Sequence, residues 1–470
     1  MKFGGTSVGS PEAIRRAAEI AKQAAAERPV LVVSSAMSKV TDLLLDTMRL
    51  GEEGEEEALQ QSLSALERNH LAAARELLPE ESLPAVEQRI RDLVAAFGRT
   101  AAGMLMLGER PARSVDEAVS TGEKLSCLLL AETLCAIGCR AEAVSGSDAI
   151  VTDAGFGAAA PLTEETAEKA RALLTPRFES GLVPIVTGFN AATKQGVPTT
   201  LGRGGSDFSA SILAAALDAG ELWIWTDVDG ILTGDPRVVD DVRILADVTY
   251  NEAAELAYNG AKVLHPATLT PLIEKDIPVR IKNSFRPEAP GTRISSHVAE
   301  ANGVRAITSM PSVTLISIEA VSLTMSGAQL MARALEAAAR AKVDVLLLTR
   351  SSFRQNFCML IRTEDVEAVI ENLREELALE LAHGYVHPIE IDHSVGLLAT
   401  VGEGMKGTPG LAGRLFASLS ERGINIIAIA QGSSELTTAV VILEEALQDA
   451  VRAVHAACRL GEPSRQAIRS

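Results

Sequence analysis

Short runs of β-branched and aliphatic residues punctuate the first 300 positions, with longer stretches of helical spacing between them. Val30 to Ser34 (VLVVS), Val183 to Thr187 (VPIVT), Leu222 to Thr226 (LWIWT) and Val279 to Lys282 (VRIK) predict buried strands. Pro11 to Glu27, Thr121 to Ile137, Thr163 to Leu174 and Ser206 to Ala219 predict helices. Strands alternating with helices imply an α/β fold: a mainly parallel sheet sandwiched by helices. Residues 51–107 are rich in Glu, Leu and Ala and carry no strand signal, so they predict a helical insertion whose charges form a solvated face.

The pattern changes near residue 301, where an internal repeat begins. Val313 to Ile318, a helix from Gly327 to Ala341 and Val343 to Thr349 make one copy; Val395 to Val401, a helix from Gly410 to Glu421 and Ile424 to Gln431 make the other. Each continues into a further strand, Asn356 to Ile361 and Thr437 to Leu443. The unit reads β-α-β-β, a small ferredoxin-like module. Three regions follow: residues 1–300, then modules over 301–385 and 386–470. The helix entries at Gly327 and Gly410 expose unpaired amides that suit a small anion or amino acid.

Composition narrows the partners. Hydrophobic content is 47% and aromatic content only 3%, so Leu, Val, Ile and Ala must build the cores. The net charge of −18 argues against nucleic acid or an anionic membrane, both of which are bound through Lys and Arg clusters. Apolar runs such as Val345 to Leu348 are too short to span a bilayer, and Met1 leads straight into Lys2-Phe3-Gly4-Gly5 with no signal peptide. The five cysteines form no CxxC pair and are expected as buried free thiols. A cytoplasmic protein is expected.

Chemistry concentrates in a few loops. Lys2-Phe3-Gly4-Gly5-Thr6-Ser7 runs from a strand end into a glycine turn, where amides and a fixed cation could meet a phosphate. An ordinary strand–helix turn would read the same way from Gly-Gly alone. Thr200-Leu201-Gly202-Arg203-Gly204-Gly205-Ser206-Asp207 is harder to explain as packing. Its Arg fork suits a carboxylate, and Asp207, in a first helical turn, could hold Lys2. Trp225-Thr226-Asp227-Val228-Asp229-Gly230-Ile231 with Asp235-Pro236-Arg237 could meet Mg²⁺, a ribose or phosphate, or be an acidic surface loop. Lys262 in Gly260-Ala261-Lys262 could meet a nucleotide, whereas His265 before Pro266 reads as a packing or turn residue. Strand ends and helix starts of this kind converge on a crevice at the carboxyl edge of a parallel sheet.

The series KFGGTSV (2–8), VSTGEKLS (119–126), TLGRGGSD (200–207), WTDVDGI (225–231), DPR (235–237) and GAKVLHP (260–266) resembles the motif series of aspartate kinases in the amino-acid-kinase superfamily. The repeat is similar to that family's tandem ACT modules, so the resemblance covers nearly the whole chain. It implies transfer of the γ-phosphoryl group of ATP, with Mg²⁺, to the β-carboxylate of L-aspartate. That reaction is the first step of lysine, threonine and methionine biosynthesis. By the same resemblance Lys2, Gly4 and Gly5 hold the transferring phosphoryl group and Asp207 orients Lys2. Thr41 touches aspartate, Glu123 receives its α-ammonium, Arg203 its α-carboxylate, and Ser206 assists. Thr226, Asp227, Arg237 and Lys262 line the ATP site. Met405 and Gln431 mark a regulatory site, and the ACT modules imply a homo-oligomer.

Some positions depart from the family pattern. Only Met1 precedes Lys2, and Leu232 stands where relatives often carry a ring. The repeat resembles most the kinase half of bifunctional aspartate kinase–homoserine dehydrogenases, for example at Ala428 to Glu435. No GxGxxG loop follows before Ser470, so a dehydrogenase half is not expected. Arg350 stands where lysine-sensing relatives often carry an acid. That favours threonine over lysine as effector, or an ACT fold that has lost its ligand.

Overall fold

The computed structural model describes residues 1–261, 264–298, 303–321, 326–351 and 356–462. These fall into two compact units. The first comprises 1–231, 246–250 and 263–297; the second comprises 232–245, 251–262 and the remainder from 298.

The first unit is built on an eight-stranded sheet. Its order is Ala141–Val144, Val183–Thr187, Val32–Ser34, Lys2–Phe3, Leu222–Thr226, Val279–Asn283, Thr292–Ser295, Asp247–Thr249. Every pairing is parallel except that between Val279–Asn283 and Thr292–Ser295. Lys2–Phe3 is short yet central, with Lys2 in register with Val33 on one side and Ile224 on the other. Phe3 is fully buried and stacks on Trp225 at 5.9 Å between ring centroids. That places Lys2 at a rigid strand rather than at a frayed end.

The expected helices form with small shifts at their ends: Pro11–Ala25, Thr121–Ala136, Thr163–Glu179 and Gly205–Ala216. Ser10 caps the first by accepting from Ala13 N, and Pro11 opens it. Helix Thr121–Ala136 is buried on nearly all sides, as its Leu-rich sequence requires. The helical insertion comprises Val40–Glu53, Glu56–Leu77 and Leu83–Leu107. Val86, Ile90, Val94, Phe97 and Met104 make the buried stripe of its longest helix, while Glu53, Glu55, Glu56 and Glu57 face solvent.

The second unit holds two four-stranded sheets and shows how the repeat is assembled. One sheet runs Ala306–Met310, Val395–Val401, Thr437–Leu443, Ala428–Gln431; the other runs Leu347–Arg350, Phe357–Arg362, Val313–Ile318, Glu390–Asp392. The copies exchange edge strands: residues 306–310 complete the second copy's sheet, and 390–392 complete the first's. A division at 385/386 therefore assigns one strand of each sheet to the other module. Each copy also ends in a helix absent from the β-α-β-β reading, Val366–Glu376 and Leu447–Ala457. Two strands start later than their apolar runs, at Leu347 and Ala428.

Residues 232–245 belong to this unit because Val239 enters the core formed by Leu398, Leu415, Val451 and Val454. Thr233 O also accepts from Ile307 N at 2.9 Å. All five cysteines are free; Cys127 is buried as expected, but Cys135 is exposed. Among the described residues no helix is long and apolar enough to cross a membrane.

Candidate active site

The first unit brings the glycine loops together at the carboxyl edge of its sheet. Lys2 Nζ lies 2.7 Å from Asp207 Oδ1, with both side chains largely buried. The contact is an ion pair rather than an aligned hydrogen bond, since Oδ1 has no partner of hydrogen-bond geometry. Asp207 reaches Lys2 from the first turn of Gly205–Ala216, where a negative charge is favoured by the helix dipole.

Gly4 and Gly5 follow Lys2 directly. A Cβ on Gly4 would come 3.3 Å from Lys2 Nζ, so a side chain there would crowd the ammonium. The turn is tied down by Gly4 N to Trp225 O, at 3.3 Å, and by Ser38 Oγ donating to Gly5 O at 3.0 Å. Ser7 Oγ lies 2.8 Å from Ser284 Oγ and also donates to Trp225 O. This serine pair joins segments 277 positions apart and had no signal in the sequence.

Glu123 sits in the first turn of Thr121–Ala136 and is 4% exposed. Its Oε1 accepts from Ala36 N at 3.2 Å, and its Oε2 has no partner. Burial pushes its carboxyl up from an ordinary value of 4.5 to about 8. A buried acid with one idle oxygen is poised to receive a cation. Thr41 lies in the first turn of Val40–Glu53, behind Lys39 at φ 65°.

Arg203 stands exposed between Gly202 and Gly204, which take positive φ of 74° and 70°. Gly204 is required twice over, because a Cβ there would also meet His265 Cβ at 2.5 Å. His265 is thus a packing and turn residue, as expected; its Nδ1 accepts from Ala267 N. Ser206 lies in the first turn of Gly205–Ala216 beside Gly188, where a Cβ would lie 2.7 Å from that of Ser206.

Thr226 ends its strand and donates to Asp227 Oδ1 at 3.1 Å. Asp229 is already engaged, accepting from Asn283 Nδ2 at 2.8 Å and pairing with Arg286. Arg237 lies in the second unit, where its guanidinium forks onto Asp235. Lys262 lies outside the described residues. In the second unit Met405 is buried, while Gln431 is exposed at the end of the edge strand Ala428–Gln431.

Comparison with known proteins identifies the family. The amino acid kinase family matches residues 1–283, and an ACT domain matches 398–458. Bifunctional aspartokinase/homoserine dehydrogenase 1 of Arabidopsis thaliana is 34% identical over 97% of this chain, which spans 50% of that protein. The chain thus spans about half the length of the bifunctional relatives it matches. Lysine-sensitive aspartokinase 3 of Escherichia coli is 33% identical, with 97% of each chain covered. The crystal structure of E. coli aspartokinase III with aspartate and ADP superimposes with a TM-score of 0.82 at 31% identity, covering 97% of this chain and 98% of that one. Its complex with lysine and aspartate gives 0.78 at 32% identity, with the same coverage. The chain belongs to the amino acid kinase family and, within it, to the aspartokinases.

Proposed function

We propose that the protein transfers the γ-phosphoryl group of ATP to the β-carboxylate of L-aspartate. The observation that carries the reading is Glu123: a sealed carboxyl with one unpartnered oxygen, matched to an α-ammonium. Arg203 takes the α-carboxylate and Ser206 and Thr41 assist, so the β-carboxylate is directed at the phosphate. A glycine turn beside an oriented Lys2 suits the γ-phosphoryl group. Thr226, Asp227, Arg237 and Lys262 serve the nucleotide.

A carboxylate is already a nucleophile at neutral pH, so no general base is needed. One of its oxygens attacks the γ-phosphorus, the bond to the β-phosphate oxygen breaks, and ADP leaves with that electron pair. The chain's contribution is alignment and neutralisation of charge by Lys2 and the Gly4 and Gly5 amides. Mg²⁺, which offsets charge on the phosphates, is proposed to enter with the nucleotide as MgATP. The product is a mixed anhydride, β-aspartyl phosphate. The ACT repeat supplies a binding place for an amino-acid effector, threonine or lysine, and the surface for a homo-oligomer.

Hydroxylamine trapping tests the reaction, because it converts an acyl phosphate to a hydroxamate. Hydroxamate with MgATP and aspartate, and none with glutamate, is the expected result. Bound ATP with no hydroxamate would overturn it.

A further inference from the structure

We infer that Asp116 is a positioning residue for aspartate binding: it fixes the loop that carries Arg203 in register with Glu123. This rests on the aspartate reading of the site. Asp116 belongs to helix Ala112–Val119 and is 2% exposed. Its Oδ2 accepts from Thr200 N at 3.0 Å and its Oδ1 from Thr200 Oγ1 at 2.8 Å. Both oxygens also accept from Gly157 N, at 3.1 and 2.9 Å. Thr200 is the last residue of strand Pro198–Thr200 and the root of the loop that rises to Arg203.

The second clamp comes through Gly157. Ala159 N donates to Thr200 O at 2.8 Å, and a Cβ on Gly202 would meet Ala158 Cβ at 3.2 Å and Gly157 O at 3.3 Å. Segment 153–160 is therefore a splint lying along the root of the arginine loop. Asp153 closes it by accepting from Gly155 N and Ala160 N. Asp116 holds strand root and splint at once.

The same helix leads directly into Glu123. Ser120 joins Ala112–Val119 to Thr121–Ala136, its Oγ donates to Glu117 O at 2.5 Å, and its carbonyl accepts from Asn190 Nδ2. Residues 116–123 thus contain both the anchor of the arginine loop and the acceptor for the ammonium. A free α-amino acid presents those two charges on one carbon. Their receivers must stay in fixed register, while the nucleotide makes no such demand. A buried carboxylate is expensive unless its hydrogen bonds are complete, and these are complete only while Thr200 stays in place.

Asp116→Asn turns one accepting oxygen into a donor facing an N–H or hydroxyl. The expected result is a rise in KM for aspartate of about tenfold, with KM for ATP within about twofold. Amide exchange over residues 200–205 accelerates in the free protein. Thr200→Val removes one bond and keeps the N–H, so it shows the same selective change at about threefold; it stands in should the first variant not fold. Equal rises in both KM values, or unchanged exchange over 200–205, would overturn the inference. A wild-type protein without aspartate-dependent turnover would instead sink the reaction assignment. The exchange measurement would still show whether Asp116 holds the loop.

Discussion

Asp207 and Glu123 occupy similar places, each in the first turn of a helix at the edge of the same sheet, but their surroundings differ. Asp207 already has its cation in Lys2, so that half of the site is complete in the empty protein. Glu123 has one backbone N–H and an idle oxygen, and its carboxyl sits near 8. The contrast teaches how the site divides its work. The side proposed for the phosphoryl group is pre-assembled around the Lys2–Asp207 pair, as transition-state stabilisation requires. The amino-acid side is left with one unpartnered oxygen, the place the proposed reading gives to the substrate's ammonium.

The comparison breaks most severely at Lys2. Lys2→Ala should lower kcat on the order of 10³-fold, with aspartate affinity little changed; single-turnover rates would separate the two. Glu123→Gln should act on the other side, raising KM for aspartate on the order of 10²-fold while KM for ATP holds. Arg203→Ala, at an exposed loop tip, should raise KM for aspartate about tenfold. Normal aspartate use by that variant would remove Arg203 from the site.

Two pH effects, smaller than these, sharpen the contrast. On the proposed reading the ammonium binds ionised Glu123, so aspartate binding releases a proton wherever the free carboxyl is protonated. Affinity by calorimetry should rise with pH up to about 8 and then level. Stability runs the other way. The folded carboxyl titrates above its ordinary 4.5, so the contribution is full below 4.5, falls as pH rises and is gone above about 8. Glu123→Gln should therefore melt higher than wild type near pH 8 and lack that slope, and aspartate should narrow the difference.

Much of this was legible in the sequence, for identifiable reasons. Leu222–Thr226 and Val183–Thr187 are continuous apolar runs because the central strands are covered on both faces, and both were found to the residue. The Lys2–Asp207 pair was readable because glycine loops announce where helices begin. Other features were hidden because they depend on distant partners. Ser7 meets Ser284 only through the sheet, and Asp116 looks like one more acid on a charged helix until Thr200 arrives. The helix Val366–Glu376 was legible but missed: Val366, Val369, Ile370 and Leu373 have helical spacing and are buried. Strand Leu347–Arg350 starts late because Val343 and Val345 pack beside the first repeat's core without joining the ladder.

The exchanged edge strands change what can be cut out or made alone. Ala306–Met310 emerges from the ribosome well before Val395–Val401, its pairing partner, and the first repeat's sheet waits for Glu390–Asp392. The first sheet cannot close until Glu390–Asp392 has been made, past the end of its own repeat, and the second waits for Thr437–Leu443, so folding of this unit is late and each sheet depends on a strand from outside its repeat. A fragment ending near residue 385 would carry one orphan strand and lack another, leaving raw sheet edges open to association with other chains.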